Sequence, residues 1–231
     1  KNFYGDDAVN ATHFPTKTRW VAKIWQMPGY YNARIRDVSF DEKNIVCAIV
    51  EKNGNFEKLQ IKDGKVVHKE PTSFNAVTAE QLKARFSNIE LPWQAERRHL
   101  AYPSATAAMA NGNTLIGTQD GMIALLKPDG TVFSLGAVGS CGPIHSFAVS
   151  PDGRAVFGTA GDKNDLGTIF RFDLNRGLII YGRLFFHDPN SEGLIGASNE
   201  PTSIAWSGDG KQIAIGVEDK LGCVYCFELL E

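Results

Sequence analysis

Two stretches in the second half of the chain are copies of one another at a spacing of roughly sixty residues, and a chain that repeats at such a period folds as like units placed side by side. The first copy is Ser146-Phe-Ala-Val-Ser-Pro-Asp-Gly153, Arg154, an apolar run to Gly158, a polar turn, and Gly167-Thr-Ile-Phe-Arg-Phe-Asp-Leu174. The second is Ser203-Ile-Ala-Trp-Ser-Gly-Asp-Gly210, Lys211, an apolar run to Gly216, a polar turn, and Gly222-Cys-Val-Tyr-Cys-Phe-Glu-Leu229. Each is a set of short β-branched and aromatic runs parted by Asp-Gly or Asn-Gly type turns, the sequence form of consecutive antiparallel hairpins. A weaker copy runs from Ser104 to Leu135 through Asn111-Gly112, Asp120-Gly121 and Asp129-Gly130. An earlier one runs from Arg34 to Val67 through Asn53-Gly54 and Asp63-Gly64.

The repeat predicts an all-β chain of four units starting near Arg34, Ser104, Ile144 and Thr202, the last of which has only three strands before Glu231. The Ser-Pro-Asp-Gly turn at Ser150 to Gly153, with a strand on either side, resembles the WD40, YVTN and TolB-like families of β-propeller repeats; the Trp-Asp dipeptide and Gly-His pair of WD40 blades are absent. That resemblance implies four-stranded blades around a central channel, and it implies fold far more than function. Thr18 to Trp25 is an isolated apolar run that supplies the missing strand if the two ends of the chain pair, which would remove exposed edges. The ring is then a closed four-bladed one; a slice of a larger propeller completed by another chain is the alternative. All 231 residues read as a single domain, with residues 70–102 as an insertion between blades. Inside it Thr78-Ala-Glu-Gln81 has the form of a capping box, followed by Leu82 and Phe86 at helical spacing, so a short helix is expected over Ala79 to Phe86.

Lys and Arg number 24 against 26 Asp and Glu, a net charge of -2, which gives no reason to expect nucleic acid as a partner. No run approaches the ~20 apolar residues of a membrane-spanning helix, so no membrane is expected and the chain reads as soluble. It opens at Lys1 without a signal-peptide pattern, as a mature or trimmed form would, and no compartment follows. Cys223-Val-Tyr-Cys226 invites a metal or redox reading. In a strand, however, positions three apart point to opposite faces, so the sulfurs cannot clip one ion; they are expected to be buried, free thiols. No nucleophile elbow, Walker loop, zinc-protease helix motif or dinucleotide fingerprint is present, and nothing calls for a cofactor or a resident metal. Asp162, Asn164 and Asp165 in the turn after Gly161 suit a hairpin as well as a calcium loop.

Candidate functional residues fall in two groups. The insertion ends Leu91-Pro-Trp-Gln-Ala-Glu-Arg-Arg-His-Leu-Ala-Tyr102. Trp93 and Tyr102 offer stacking surfaces for a ligand, Glu96 an acceptor, and Arg97 and Arg98 bidentate grips on a carboxylate or sulfate; the alternative is a solvated loop anchored by Trp93. The second group lies where the chain leads into the first strand of each unit, which carries a proline in three of them. Those lead-ins hold His99 and Tyr102, His145, and Asn199 and Glu200. If they converge, they ring one opening, and that mix suits binding of a metal or acid-base work on a polyol, with His145 or His99 as base and Tyr102 as acid. The first expectation is therefore a propeller binding module that recognises a protein or carbohydrate ligand over its channel face. The alternative is a carbohydrate-active enzyme, resembling a polysaccharide lyase, at the same opening.

Overall fold

The runs parted by glycine turns become strands. The fold, obtained as a computed structural model, describes residues 16–87, 102–138, 142–161, 168–173, 178–182, 200–218 and 222–229. They form sixteen strands and one α-helix. The first sheet holds β2 (Arg34–Phe40), β3 (Val46–Lys52), β4 (Asn55–Lys62) and β5 (Lys65–Thr72). The second holds β6 (Pro103–Ala108), β7 (Thr114–Thr118), β8 (Met122–Leu126) and β9 (Val132–Ala137). The third holds β10 (Ile144–Val149), β11 (Ala155–Ala160), β12 (Thr168–Asp173) and β13 (Leu178–Gly182). The fourth joins β14 (Glu200–Trp206), β15 (Gln212–Glu218) and β16 (Cys223–Leu229) to β1 (Thr16–Lys23), all four sheets being antiparallel.

The fourth strand of the last sheet thus comes from the other end of the chain, with Thr16 opposite Leu229 and Lys23 opposite Cys223. It sits two residues earlier than the apolar run suggested. After Lys23, the Ile24 N–H turns to the Gly222 carbonyl and Ile24–Gln26 closes into a 3-10 turn. In the first sheet β5 runs on to Thr72, so the first residues of the expected insertion are strand.

Turn chemistry sets these boundaries. Asn53 and Gly54, then Asp63 and Gly64, all have positive φ, as two-residue hairpins that follow the strand twist require. The Ser-x-Asp-Gly turns are wired alike. The Ser150 hydroxyl donates to Asp152 at 2.5 Å and accepts from the Ala155 N–H, while Ser207 donates to Asp209 at 2.6 Å and accepts from the Gln212 N–H. Those hydroxyls and the following backbone N–H groups hold both carboxyls below the usual range.

The leading strands of the sheets lie side by side, β6 by β10, β10 by β14, and β14 by β2. Apolar side chains fill each joint. Ala105, Leu115 and Ile123 meet Ile144, Phe147 and Phe170 between the second and third sheets. Phe157 and Ile169 meet Ile204, Ile215 and Tyr225 between the third and fourth. Ala22, Val224 and Cys226 meet Ile35, Ala48 and Leu59 between the fourth and first. Each fully buried Ile, Leu or Phe contributes roughly 1.5–3 kcal/mol. Cys223 and Cys226 fall in different clusters, on opposite faces of β16, and with Cys47 they are buried and in no disulfide. Burial pushes the Cys226 thiol up to about 12. The helix α1 (Ala79–Arg85) carries the expected capping box, Gln81 N–H to the Thr78 hydroxyl and the Gln81 side chain back to the Thr78 N–H. Its Leu82, with Phe86 just past its end, covers Ile116 and Ala124 on the face of the second sheet turned from the third.

Between β1 and β2, Tyr30 is 2 % exposed, its hydroxyl bonded to Glu57 and the Lys52 ammonium 4.7 Å from its ring centroid. Burial first, and the carboxylate second, push its pKa from 10.0 to about 12. Raising a folded-state pKa favours the protonated form, so this contribution to stability is whole below pH 10.0 and is lost as pH climbs toward about 12. In an alkaline titration followed by tyrosine absorbance, Tyr30→Phe is expected to remove one phenol that ionises at about 12 rather than near 10.0. A variant whose absorbance change at about pH 12 equals that of the parent would contradict this. Among the described residues no helix is long and apolar enough to cross a membrane.

Candidate functional site

Register decides what the leading strands present. Near its start each carries one residue too many for its partner, and the pairing skips it. The skipped residues are Arg36 in β2, Ser104 in β6, His145 in β10 and Thr202 in β14, the same place four times. A bulge leaves its extra residue outside the ladder and re-aims its side chain, so these four share one end of the sheets.

Each is fastened to its own sheet's second strand or the residue just beyond it. The Ser104 hydroxyl reaches the Gly117 carbonyl at 3.4 Å and Thr202 reaches Gly216 at 3.4 Å. His145 Nε2 lies 2.9 Å from the Gly161 carbonyl, and the Arg36 Nε donates to Glu51 at 2.6 Å. Two of them also bridge to the neighbouring sheet. Ser104 donates to the Ile144 carbonyl at 2.7 Å and Thr202 to that of Ile35 at 3.4 Å, each the residue just ahead of the next bulge. These bonds tie together the joints whose apolar halves were described above.

Two residues earlier in each sheet comes the rim, formed by Arg34, Tyr102, Pro143 and Glu200. Opposite them stand Glu51, Gln119, Gly161 and Glu218: Arg34 and Glu200 pair with their partners in register, and the Tyr102 and Pro143 carbonyls accept from the Gln119 and Gly161 N–H groups. Tyr102 is half-buried, with the Lys83 ammonium of α1 held 4.1 Å from its ring centroid. The helix of the insertion is thereby latched to the rim.

Of the residues singled out in the sequence, Tyr102, His145 and Glu200 do reach the same end of the sheets. Tyr102 and Glu200 hold equivalent rim places, and His145 stands one layer deeper, at a bulge. Trp93, Glu96, Arg97, Arg98, His99 and Asn199 lie outside the described residues, as does the turn with Asp162, Asn164 and Asp165. Arg34, Arg36, Ser104 and Thr202 were missed. Arg36, Ser104 and Thr202, with His145, are equivalent only in the pairing of the first two strands of each sheet; they differ in type, and a bulge is a property of pairing that one strand's sequence does not display. Among the described residues no group of three His, Cys, Asp or Glu side chains can hold a metal ion.

No protein-family model matches the chain, and no curated protein matches it.

Proposed function

We propose that the chain is a four-bladed β-propeller that binds a protein or carbohydrate ligand over the end where its leading strands begin. The observation that carries this reading is the fourfold bulge. Arg36, Ser104, His145 and Thr202 are engaged in fastening strand to strand and sheet to sheet, which makes a rigid floor beneath a mixed-charge rim of Arg34, Tyr102, Glu200, Glu51 and Glu218. The pairing of β1 with β16 supports a ring whose ends are joined within one chain. A pre-formed floor lowers the ordering cost of binding and suits recognition.

The second reading, a lyase with His145 or His99 as base, is constrained by the same bonds. The His145 Nε2 facing the Gly161 carbonyl donates there, so on that ring only Nδ1 could accept a substrate proton. Binding to an array of glycans and peptides, followed by calorimetry on the hits, tests the first reading. The double variant Arg34→Ala, Glu200→Ala is expected to weaken the ligand at least about tenfold, the loss of roughly one charge-assisted hydrogen bond, with no ultraviolet-absorbing unsaturated sugar ends formed. New unsaturated ends from uronate polymers, lost in His145→Ala, would establish the lyase instead.

A further inference from the structure

The opposite end of the sheets carries a second set of features that the rim does not explain. There the hairpins β2–β3, β4–β5 and β14–β15 turn, and β1 runs in beside them. β1 has a bulge of its own, because Thr18 pairs with Phe227 and Trp20 with Cys226, leaving Arg19 outside the ladder. Two cavities open beside this bulge, of about 300 and about 320 Å³, and both are lined by Arg19, Trp20 and Asp63. Sharing these three walls, the two cavities adjoin where β1 of the fourth sheet meets the β4–β5 turn of the first, and together they are called the groove. Each half is within the size range of small-ligand clefts, ~300–1,000 Å³.

The lining is rich in donors. Lys43 and Lys62 stand with Arg19 around the first cavity, and among the described residues none of the three makes an ion pair. Gln212 lines the same cavity, and its side-chain carbonyl receives the Cys226 thiol at 3.4 Å, which leaves its amide N–H₂ to donate. Of the carboxylates nearby, Asp209 is already engaged with Ser207 and the Lys211 N–H, so it neutralises the cations only weakly. Lys17 and Glu228 line the second cavity. The half-buried Trp20 is the aromatic wall common to both.

We propose that this groove binds an acidic oligosaccharide, one sugar ring lying against Trp20 and its carboxylate or sulfate groups held by Arg19, Lys43 and Lys62. Three cations that make no ion pair among the described residues favour an anionic ligand. A single aromatic wall with Asp63 and Glu228 along the same groove favours a ring with hydroxyls to donate over a flat base, which would gain from a second stacking face. Two adjoining cavities favour an oligomer over a lone ion.

The test uses the intact chain and titrates tryptophan fluorescence with four probes: a galacturonate tetramer, a sulfated oligomer of the same length, a neutral glucan tetramer and adenosine monophosphate. The acidic oligomers are expected to bind and the neutral one to bind at least about tenfold more weakly, as loss of charge-assisted contacts requires. Whichever acidic oligomer binds tighter identifies the anionic group. Arg19→Ala and Lys62→Ala, both exposed and so not expected to disturb folding, should each weaken binding several-fold, and Trp20→Phe should remove the fluorescence change. The rim variant Arg34→Ala, Glu200→Ala should leave this affinity unchanged, which separates the groove from the site proposed above. Equal binding of the neutral oligomer, tighter binding of the nucleotide, or indifference to Arg19→Ala with the melting temperature intact would each overturn the proposal.

Discussion

Deleting residues 1–23 is expected to leave no cooperatively folding protein. The cut removes β1, and with it the partner of every residue of β16 on one side. It also uncovers Val224 and Cys226, which are 0 % exposed in the intact chain, and takes Ala22 out of the joint between the fourth and first sheets. Apolar losses of roughly 1.5–3 kcal/mol per buried side chain, set against a total stability of about 5–15 kcal/mol, leave little margin. The bared edge of β16 is in addition a template for pairing with other copies. Circular dichroism melting and light scattering would read this directly. Because Thr16 stands opposite Leu229, a permuted chain that places Thr16–Lys23 after Glu231 through a tight turn should melt as one cooperative unit. Were the truncated chain to melt cooperatively near the intact protein's temperature, the closing pair would be ornamental.

The next largest effect is expected at Gly158. A methyl group added there would stand 2.2 Å from the nearest atom of the Phe170 ring, far inside van der Waals contact. The ring has no room to retreat. Phe147 meets its edge at 6.1 Å between centroids and Phe172 stacks on it at 6.5 Å. Gly158→Ala should therefore cost about 1–3 kcal/mol or more through overpacking, and Phe170→Ala about 3–5 kcal/mol through the cavity it leaves. Since the methyl would occupy part of that cavity, the double variant should be more stable than the sum of the two losses. Denaturant midpoints at unchanged slope measure all three. Strict additivity, or a Gly158→Ala variant as stable as the parent, would rule out this close approach.

Much of the fold was legible because its cues are local. Asn53-Gly54 and Asp63-Gly64 name their own hairpins, Thr78 and Gln81 name their own helix, and the apolar β1 segment advertised a partner by having none nearby. The sixty-residue repeat then predicted sheet composition, and Cys223 and Cys226 went to opposite faces as strand geometry demands. The candidate site was legible only in outline. Proline-marked lead-ins led to Tyr102, His145 and Glu200, but the bulges that aim Arg36, Ser104 and Thr202 arise from mismatched register between two strands. Arg19 escaped for the same reason. Its bulge exists only because β1 pairs with β16, a strand at the far end of the sequence, so neither segment alone signals the groove.

That long-range pairing has a kinetic face. As the chain leaves a ribosome, the strands of the first three sheets emerge in order, each sheet from adjacent hairpins. β1 must wait for a partner made about two hundred residues later, and long loops close slowly even though their added entropic cost is small. Through that interval the apolar side of the first sheet that the fourth will cover stays wet, with Ile35, Ala48 and Leu59 bare to any sticky neighbour. A cell making this protein in quantity is thus under most pressure not to hold the finished molecule together but to shelter an unfinished one.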